Sequence, residues 1–480
     1  MTGISVSVKW GKQEFSLTAE IGLGVAGLKA QLYQLTSVPA DKQKLLGVPG
    51  GLKDDDMLDV KLKQGMKLTL LGTPESAQLH APTESTRFVE DMSAEEISRA
   101  LKQAKKEPLP VGIENLGNTC YMNAVVQVLF GLPKLGVALE KWSGIGASSA
   151  DKLLTEKLRD LLKDLHGHSG QSVTPYGFLA ALRARFPQFG QRSREGHYSQ
   201  QDAEECFRGI LEVLANTLKS SHDNAIDDLF GFDMRSNFEA NEGTEESSTC
   251  ENQRILLCHL GNQTEPVNHL HEGVKLSLKE TIEKESTALG RTTQFTKTSA
   301  IASLPEYLVV QFARFQWKAR SDSAGTEATR TKIVRKCGFQ KSLDVYDFCT
   351  EDVKQSLAAG RAKKVDLQDI EDIKPDVNAS MLPTGTYNLV GIVSHQGRSA
   401  EGGHYVGWTR WTKGARVNKK GAKEDVWLKF DDETVTEHEL RAMIESGGIC
   451  GGLADTQMAY FCVFEKEVLP DRLAPNETHN

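Results

Sequence analysis

The sequence predicts an α+β chain with two folded units, and three features carry that expectation. The first 72 residues alternate apolar and polar side chains in short runs around a single helical stripe. From about residue 108, helical periodicity dominates as far as Leu214, and β-branched and aromatic runs dominate from Leu308 onward. Between the units lies a polar stretch over 74–107, with Pro74, Pro82 and many Ser, Thr and Glu residues. That is the composition of a flexible linker.

In the first unit Ile4, Val6 and Val8 alternate with Ser5, Ser7 and Lys9, which predicts a half-buried strand. Gly11 marks a turn, and Phe15 and Leu17 continue the alternation in a second strand. Val25, Leu28, Leu32 and Leu35 then define an amphipathic helix that ends before Pro39. Leu45-Leu46 and Lys67–Leu71 supply two further strands. This ββαββ order, with the Gly47–Asp56 segment between its last strands, resembles the ubiquitin-like β-grasp. The chain runs on past Leu71-Gly72-Thr73, so the unit reads as a binding module and not as a conjugable tag. Its nine lysines against seven acidic residues give it +2, while the whole chain carries −8.

The linker contains Ser93 followed three residues later by Glu96, which predicts a capped short helix through Leu101. A flexible connection would let the first unit hold a partner while the second works nearby at raised effective concentration.

In the second unit, Leu154, Leu158, Leu161, Leu162 and Leu165 form one helical stripe. Thr174-Pro175 opens another helix, carrying Phe178, Leu179 and Leu182. A third begins at Ser199–Glu205 and buries Ala203, Cys206, Phe207, Ile210, Leu211 and Leu214, which makes Cys206 a packing residue. Strands are expected at Leu308–Phe312, Tyr387–Val393, His404–Arg410, Val426–Phe430 and Ala459–Phe464. The polar inserts Glu239–Asn252, Ala319–Arg330 and Ala358–Val377 read as surface excursions, and the tail after Glu467 as disordered.

Composition limits what such a chain can do. At 480 residues, with 39% hydrophobic and 25% charged residues, it can bury a sizeable core. The net negative charge argues against a nucleic-acid partner. No apolar run approaches a membrane span, and the alternating Met1–Trp10 segment is no signal-peptide core. Eight cysteines without paired spacing fit a reducing compartment, so a cytoplasmic or nuclear location is expected.

One of those thiols has chemistry around it. Cys120 stands where a loop rich in glycine and asparagine (Gly112–Thr119) gives way to a helix with Tyr121, Ala124, Val125, Val128 and Leu129 on one face. Gly131 and Pro133 end that helix. A helix N-terminus favours an anion, and so a thiolate. Asn115 could donate to an oxyanion. A thiolate nucleophile also needs a base and a group to orient it. His404, preceded by Gly402-Gly403 and opening a strand, suits the first role. The Trp427–Asp432 strand ends in two carboxylates, Asp431 and Asp432, one of which could hold the imidazole N–H.

Four segments together resemble the ubiquitin-specific protease family: Asn115 with Gly117–Asn123, Gln200–Glu205, Gly402–Val406 and Phe430–Asp432. The ubiquitin-like module in front, and His395–Ser399 before the glycine pair, resemble the proteasome-associated members. The resemblance implies a papain-like catalytic domain over 108–467, with a helical thumb and an antiparallel β palm and fingers. It implies cleavage after the C-terminal glycine of ubiquitin, with Cys120 as nucleophile, His404 as base and then acid, and Asp431 as its orienter. Asn115 and the Cys120 N–H would hold the oxyanion. Asp432 takes a secondary role, and Gln201, Asp202, Gly402, Gly403 and Tyr405 line the path of the substrate tail. Ubiquitinated proteins and the 26S proteasome regulatory particle, reached through residues 1–73, are the implied partners. No cofactor is expected.

Many relatives carry two Cys-x-x-Cys pairs for a structural zinc. Here Cys250 and Cys258, with His259, His269 and His271, fit no standard tetrahedral spacing, so no metal is expected. The resemblance also suggests that Ser394–Gly403 is a loop that covers the tail channel until the proteasome is bound. A rival expectation is a non-catalytic ubiquitin-binding regulator of the proteasome, which the presence of Cys120, His404 and Asp431 disfavours.

Overall fold

Contacts within the chain divide it between Lys105 and Lys106 into two units. In this computed structural model the described residues are 3–72 and 109–473, apart from 12, 22–23, 37, 50, 54–55, 145–147, 167–171, 194, 220–223, 263, 319–328, 368–375, 377, 398–401, 418–422, 446–447 and 454–455. The expected linker with its Ser93 helix, most of the 319–330 insert and the end of the tail lie outside the described residues.

In the first unit β1 (Gly3–Trp10) pairs antiparallel with β2 (Gln13–Glu20) and parallel with β4 (Met66–Leu71), which also pairs with β3 (Lys44–Leu46). The sheet order is β2-β1-β4-β3. Val6, Val8, Leu45, Leu68 and Leu70 share a core with Val25, Leu28 and Leu32 of α1 (Gly24–Thr36). Each such buried side chain contributes roughly 2 kcal/mol relative to exposure. Leu35, counted with that stripe in the sequence, lies in the last turn and is 48% exposed. Gly47 is required: its φ is +125°, and a Cβ there would lie 2.7 Å from the Lys67 carbonyl.

The second unit begins with helices. These are α2 (Cys120–Phe130), α3 (Pro133–Lys141), α4 (Ser149–Asp164), α5 (Tyr176–Arg185), α6 (Ala203–Thr217) and α7 (Ala225–Phe230). Pro133 thus ends one helix and serves as the first residue of the next, where its missing N–H costs nothing. α2 is apolar except at Asn123 and Gln127, and each residue from Cys120 to Leu129 is buried. It is the axle of the unit, packed between the other helices and a large sheet.

That sheet runs β17 (Thr434–Glu439), β16 (Lys423–Asp431), β15 (His404–Val417), β14 (Met381–Gln396), β18 (Met458–Pro470), β10 (Tyr307–Phe312) and β7 (Ile255–Cys258), with β13 (Ser342–Asp344) beside β14. Glycines let α2 lie close on it. A Cβ on Gly407 would come within 2.9 Å of the Ala124 carbonyl, and one on Gly391 within 2.9 Å of Val128 Cγ1. A second, four-stranded sheet has the order β6 (Glu246–Gln253), β5 (Phe232–Ala240), β9 (Arg291–Ile301), β8 (Lys279–Ser286). β11 (Phe315–Lys318) pairs antiparallel with β12 (Thr329–Lys332). The architecture is α+β, as expected.

Four local expectations are corrected. Glu239–Asn252 is a hairpin, with β5 and β6 in register from Phe232↔Gln253 to Glu239↔Glu246. β6 is polar on both faces, so pairing holds it and no apolar alternation betrays it. Ala358–Asp366 belongs to α9 (Glu351–Asp366), whose buried residues are only Val353, Leu357 and Gly360. Ser394–Gln396 continue β14, paired with β15 and, at Ser394 and His395, with β18; both of those side chains are fully buried. Beyond Glu467, Val468–Pro470 pair with Met381–Pro383, so the sheet outlasts the boundary drawn at 467. Among the described residues, no single helix is long and apolar enough to cross a membrane.

Candidate active site

The loop before Cys120 is built by Asn115. Its Oδ1 accepts from the N–H groups of Gly117 (3.0 Å) and Thr119 (3.2 Å), which folds the chain back on itself. Gly117 and Asn118 take left-handed φ values of +93° and +54°, which suits their residue types. Thr119 Oγ1 accepts from the Leu116 N–H at 2.9 Å. The result sets Cys120 as the first residue of α2, with its N–H among those the helix leaves unpaired.

The opposite wall comes from the sheet. His404 opens β15 opposite Gln396 of β14. The preceding Gly403 has φ +131°, and a Cβ there would meet the Gln396 carbonyl at 2.1 Å, so only glycine allows this turn. Asp431 closes β16. His404 Nε2 lies 2.6 Å from Asp431 Oδ1, which leaves Nδ1 for the Cys120 thiol. Lys429, two residues back and so on the same face of the strand, donates to Asp431 Oδ2 at 2.7 Å.

The electrostatics agree with that geometry. The Asp431 carboxylate, then the Cys120 thiol, raise the His404 pKa to about 10 against the burial that opposes it. The His404 and Lys429 hydrogen bonds hold Asp431 well below the usual carboxylate range. Two N–H groups converge on the sulfur: Gln200 Nε2 at 3.4 Å and the Tyr405 backbone N–H at 3.5 Å. The sulfur thus sits at the first residue of α2 with both donors pointing at it.

Asp432 has a different task from its neighbour. It takes a left-handed φ of +50° and is buried, with its carboxyl pushed up by that burial. It accepts from Asn115 Nδ2 and Asn123 Nδ2, both at 2.8 Å, and its carbonyl accepts from the Ile113 N–H at 2.9 Å. Asp432 therefore ties the sheet wall to the cysteine loop. One Nδ2 proton of Asn115 is spent on this bridge, which leaves one for a ligand.

The structure brings together Cys120, His404, Asp431, Asp432, Asn115, Gly402, Gly403 and the Tyr405 backbone. Three of the tail-path residues are turned elsewhere. Gln201 Nε2 donates to the Ser199 carbonyl at 3.3 Å. Asp202 is buried, caps α6 through the Glu204 N–H at 2.9 Å and accepts from Tyr460 Oη at 2.9 Å. The Tyr405 ring is 1% exposed and packs on His395 at 4.4 Å. Gln200 and Asn123 stand in the matched segments without an expected role, and Lys429 has none in the sequence. Lys429 could have been found from its two-residue spacing to Asp431.

His404, Asp431 and Asp432 have possible metal-ligand atoms within 4.8 Å of one another, the sole such trio among the described residues. Asp431 already has His404 and Lys429 as hydrogen-bond partners, and Asp432 has Asn115 and Asn123. Of the scattered Cys and His residues, Cys250 is exposed on β6, Cys258 is buried on β7, and His269 caps α8 (Leu270–Ser277).

Residues 111–464 match the family model described as ubiquitin carboxyl-terminal hydrolase. Ubiquitin carboxyl-terminal hydrolase 7 of Arabidopsis thaliana is 35% identical, across 97% of this chain and 99% of its own length. Ubiquitin carboxyl-terminal hydrolase 6 of Schizosaccharomyces pombe is 33% identical, across 96% and 98%. Ubiquitin carboxyl-terminal hydrolase 14 of Caenorhabditis elegans is 30% identical, across 97% and 94%. A match that spans both walls of the site, with relatives that align almost end to end, makes this chain a member of the ubiquitin carboxyl-terminal hydrolase family, the cysteine-type deubiquitinases.

Proposed function

We propose that the chain removes ubiquitin from proteasome-bound conjugates, and that Cys120, His404 and Asp431 perform the reaction. The observation that carries this reading is the 2.6 Å His404–Asp431 contact beside a sulfur that receives two N–H donors. Cys120 sulfur attacks the carbonyl carbon of ubiquitin's last glycine. The carbonyl oxygen becomes an oxyanion, held by the Cys120 N–H and by amide donors from Asn115 and Gln200. His404 then gives its proton to the departing lysine amine, leaving a thioester. Water, deprotonated by His404, attacks the thioester and releases ubiquitin with a free carboxylate and the thiol restored. Asp431 keeps the imidazole in the tautomer that both steps need.

Residues 1–73 form the module we assign to proteasome binding, with 74–107 as its tether, in the cytoplasm or nucleus. The resemblance to proteasome-associated relatives supports this, as does a small sheet unit separate from the catalytic one. The free chain is expected to be slower than the proteasome-bound one.

A ubiquitin probe ending in a vinyl electrophile tests the reading. A covalent adduct that disappears in Cys120→Ala is expected, with faster labelling when purified proteasome is added. No adduct with proteasome present would favour the non-catalytic regulator.

A further inference from the structure

Lys332, the last residue of β12, is a buried cation the chemistry above does not use. It is 9% exposed, and its Nζ lies 2.8 Å from His395 Nδ1 and 2.7 Å from the His395 carbonyl. Among the described residues, no carboxylate lies within ion-pair distance of it. Burial, and then the nearby Arg314 guanidinium, lower its pKa to about 7. A buried ammonium facing neutral acceptors and another cation is a poor stabiliser. Its value must lie in what it holds.

It holds a histidine that lies against the catalytic turn. His395 is fully buried on β14, with its ring on Tyr405 at 4.4 Å and near Phe315 at 5.8 Å. While Lys332 is protonated it can only donate, so His395 Nδ1 then accepts and the ring proton sits on Nε2. That nitrogen lies beneath the glycine pair: a Cβ on Gly403 would come within 2.6 Å of it. Gly403 leads directly into His404, and the next N–H, that of Tyr405, touches the Cys120 sulfur. The backbone behind Lys332 is equally fixed. Arg314 Nη1 donates to the carbonyls of Ile333 (3.1 Å) and Arg335 (3.0 Å), and Nε donates to that of Ala459 (2.7 Å).

We infer that Lys332 and His395 form a buried positioning pair: Lys332 sets the tautomer of His395, and the His395 ring seats the Gly402–Tyr405 turn so that His404 and the Tyr405 N–H meet Cys120. The pair deepens the deubiquitinase reading, on which its physiological role rests, but its geometry can be tested without ubiquitin.

Two variants separate the parts. Lys332→Met keeps the aliphatic stem and removes the donors. His395→Gln keeps a donor near the Nε2 position and removes the Nδ1 acceptor. The first readout is the pH profile of Cys120 alkylation by iodoacetamide, followed by mass spectrometry of the Cys120 peptide. Both variants are expected to raise the pH midpoint by about one unit. On ubiquitin with a fluorogenic amide leaving group, both should lose about tenfold in kcat with KM within about twofold, as misplacement of the base predicts. A folded Lys332→Met chain with an unchanged midpoint and kcat would overturn the pair. Should that variant fail to fold, His395→Gln decides on the same two readouts. A wild-type chain that cleaves no ubiquitin substrate, while both variants still shift the alkylation profile, would refute the deubiquitinase reading and leave the pair standing.

Discussion

The two walls of the site are held in place by different forces. On the cysteine wall, neutral amides and close packing do the positioning: Asn115 folds the loop and α2 is buried on all sides. On the histidine wall, charge does it. Asp431, itself bonded by Lys429, grips His404 from one side, and Lys332 bonds His395 on the other. Asp432, bound to Asn115 and Asn123, is the tie between them. The difference teaches that pH and charge substitutions should act on the base, whereas loss of volume should act on the nucleophile.

The largest expected effect comes from breaking the charged wall at its centre. Asp431→Asn should keep the fold and lower kcat by about 10³ or more, because the amide can stabilise neither the imidazolium nor the right tautomer. Steady-state turnover of a fluorogenic ubiquitin substrate measures it. A loss under tenfold would mean that Asp432 can take over the role.

The amide donors come next. Gln200→Ala should lower kcat by about 10²-fold, at an unchanged melting temperature, if its amide serves the oxyanion. Asn115→Ala should lower both kcat and melting temperature, because Asn115 also builds the loop and bonds Asp432. Parallel kinetics and thermal melts separate the two. An inert Gln200→Ala would return the oxyanion to Asn115 and the Cys120 N–H alone.

The smallest effect is on stability against pH. His404 is raised from 6.5 to about 10, so its contribution is complete below pH 6.5 and fades as pH climbs through 10. Asp431 has the opposite sense, with its contribution lost as pH falls below the usual carboxylate range. Lys332, lowered from 10.5 to about 7, adds stability as pH rises from 7 toward 10.5 and partly masks the first trend. The melting-temperature advantage of wild type over His404→Ala should therefore shrink steadily between pH 6.5 and 10. Its size is small, since His404 and Asp431 are each about a third exposed and water screens them. A flat difference across that range would mean His404 is not charged in the folded chain.

Much of this was legible in the residues. α2 announced itself by its apolar period, His404 by its glycines and Asp431 by its place at a strand end. Gln200 did not, because Gln200, Gln201 and Asp202 stand side by side before α6 and only the fold decides which one faces the sulfur. Asp202 looked like a recognition carboxylate, yet a helix start needs a cap and Tyr460 needs an acceptor. β6 escaped notice because polar side chains on both faces leave no alternation to read. Lys332 lies 63 positions from His395 and follows no motif.

The burial of α2 has one more consequence. A helix whose residues are covered from Cys120 to Leu129 cannot loosen by itself; its amides open only when the whole core melts. The turn at Gly402–His404 sits at a strand end and needs no such event to open. Warming should therefore silence the enzyme in two stages. In the first, reversible stage the base swings away while the nucleophile stays in its socket. Only in the second does the buried surface of α2 become free to aggregate. The reacting sulfur is thus held in place by the most cooperative part of the chain.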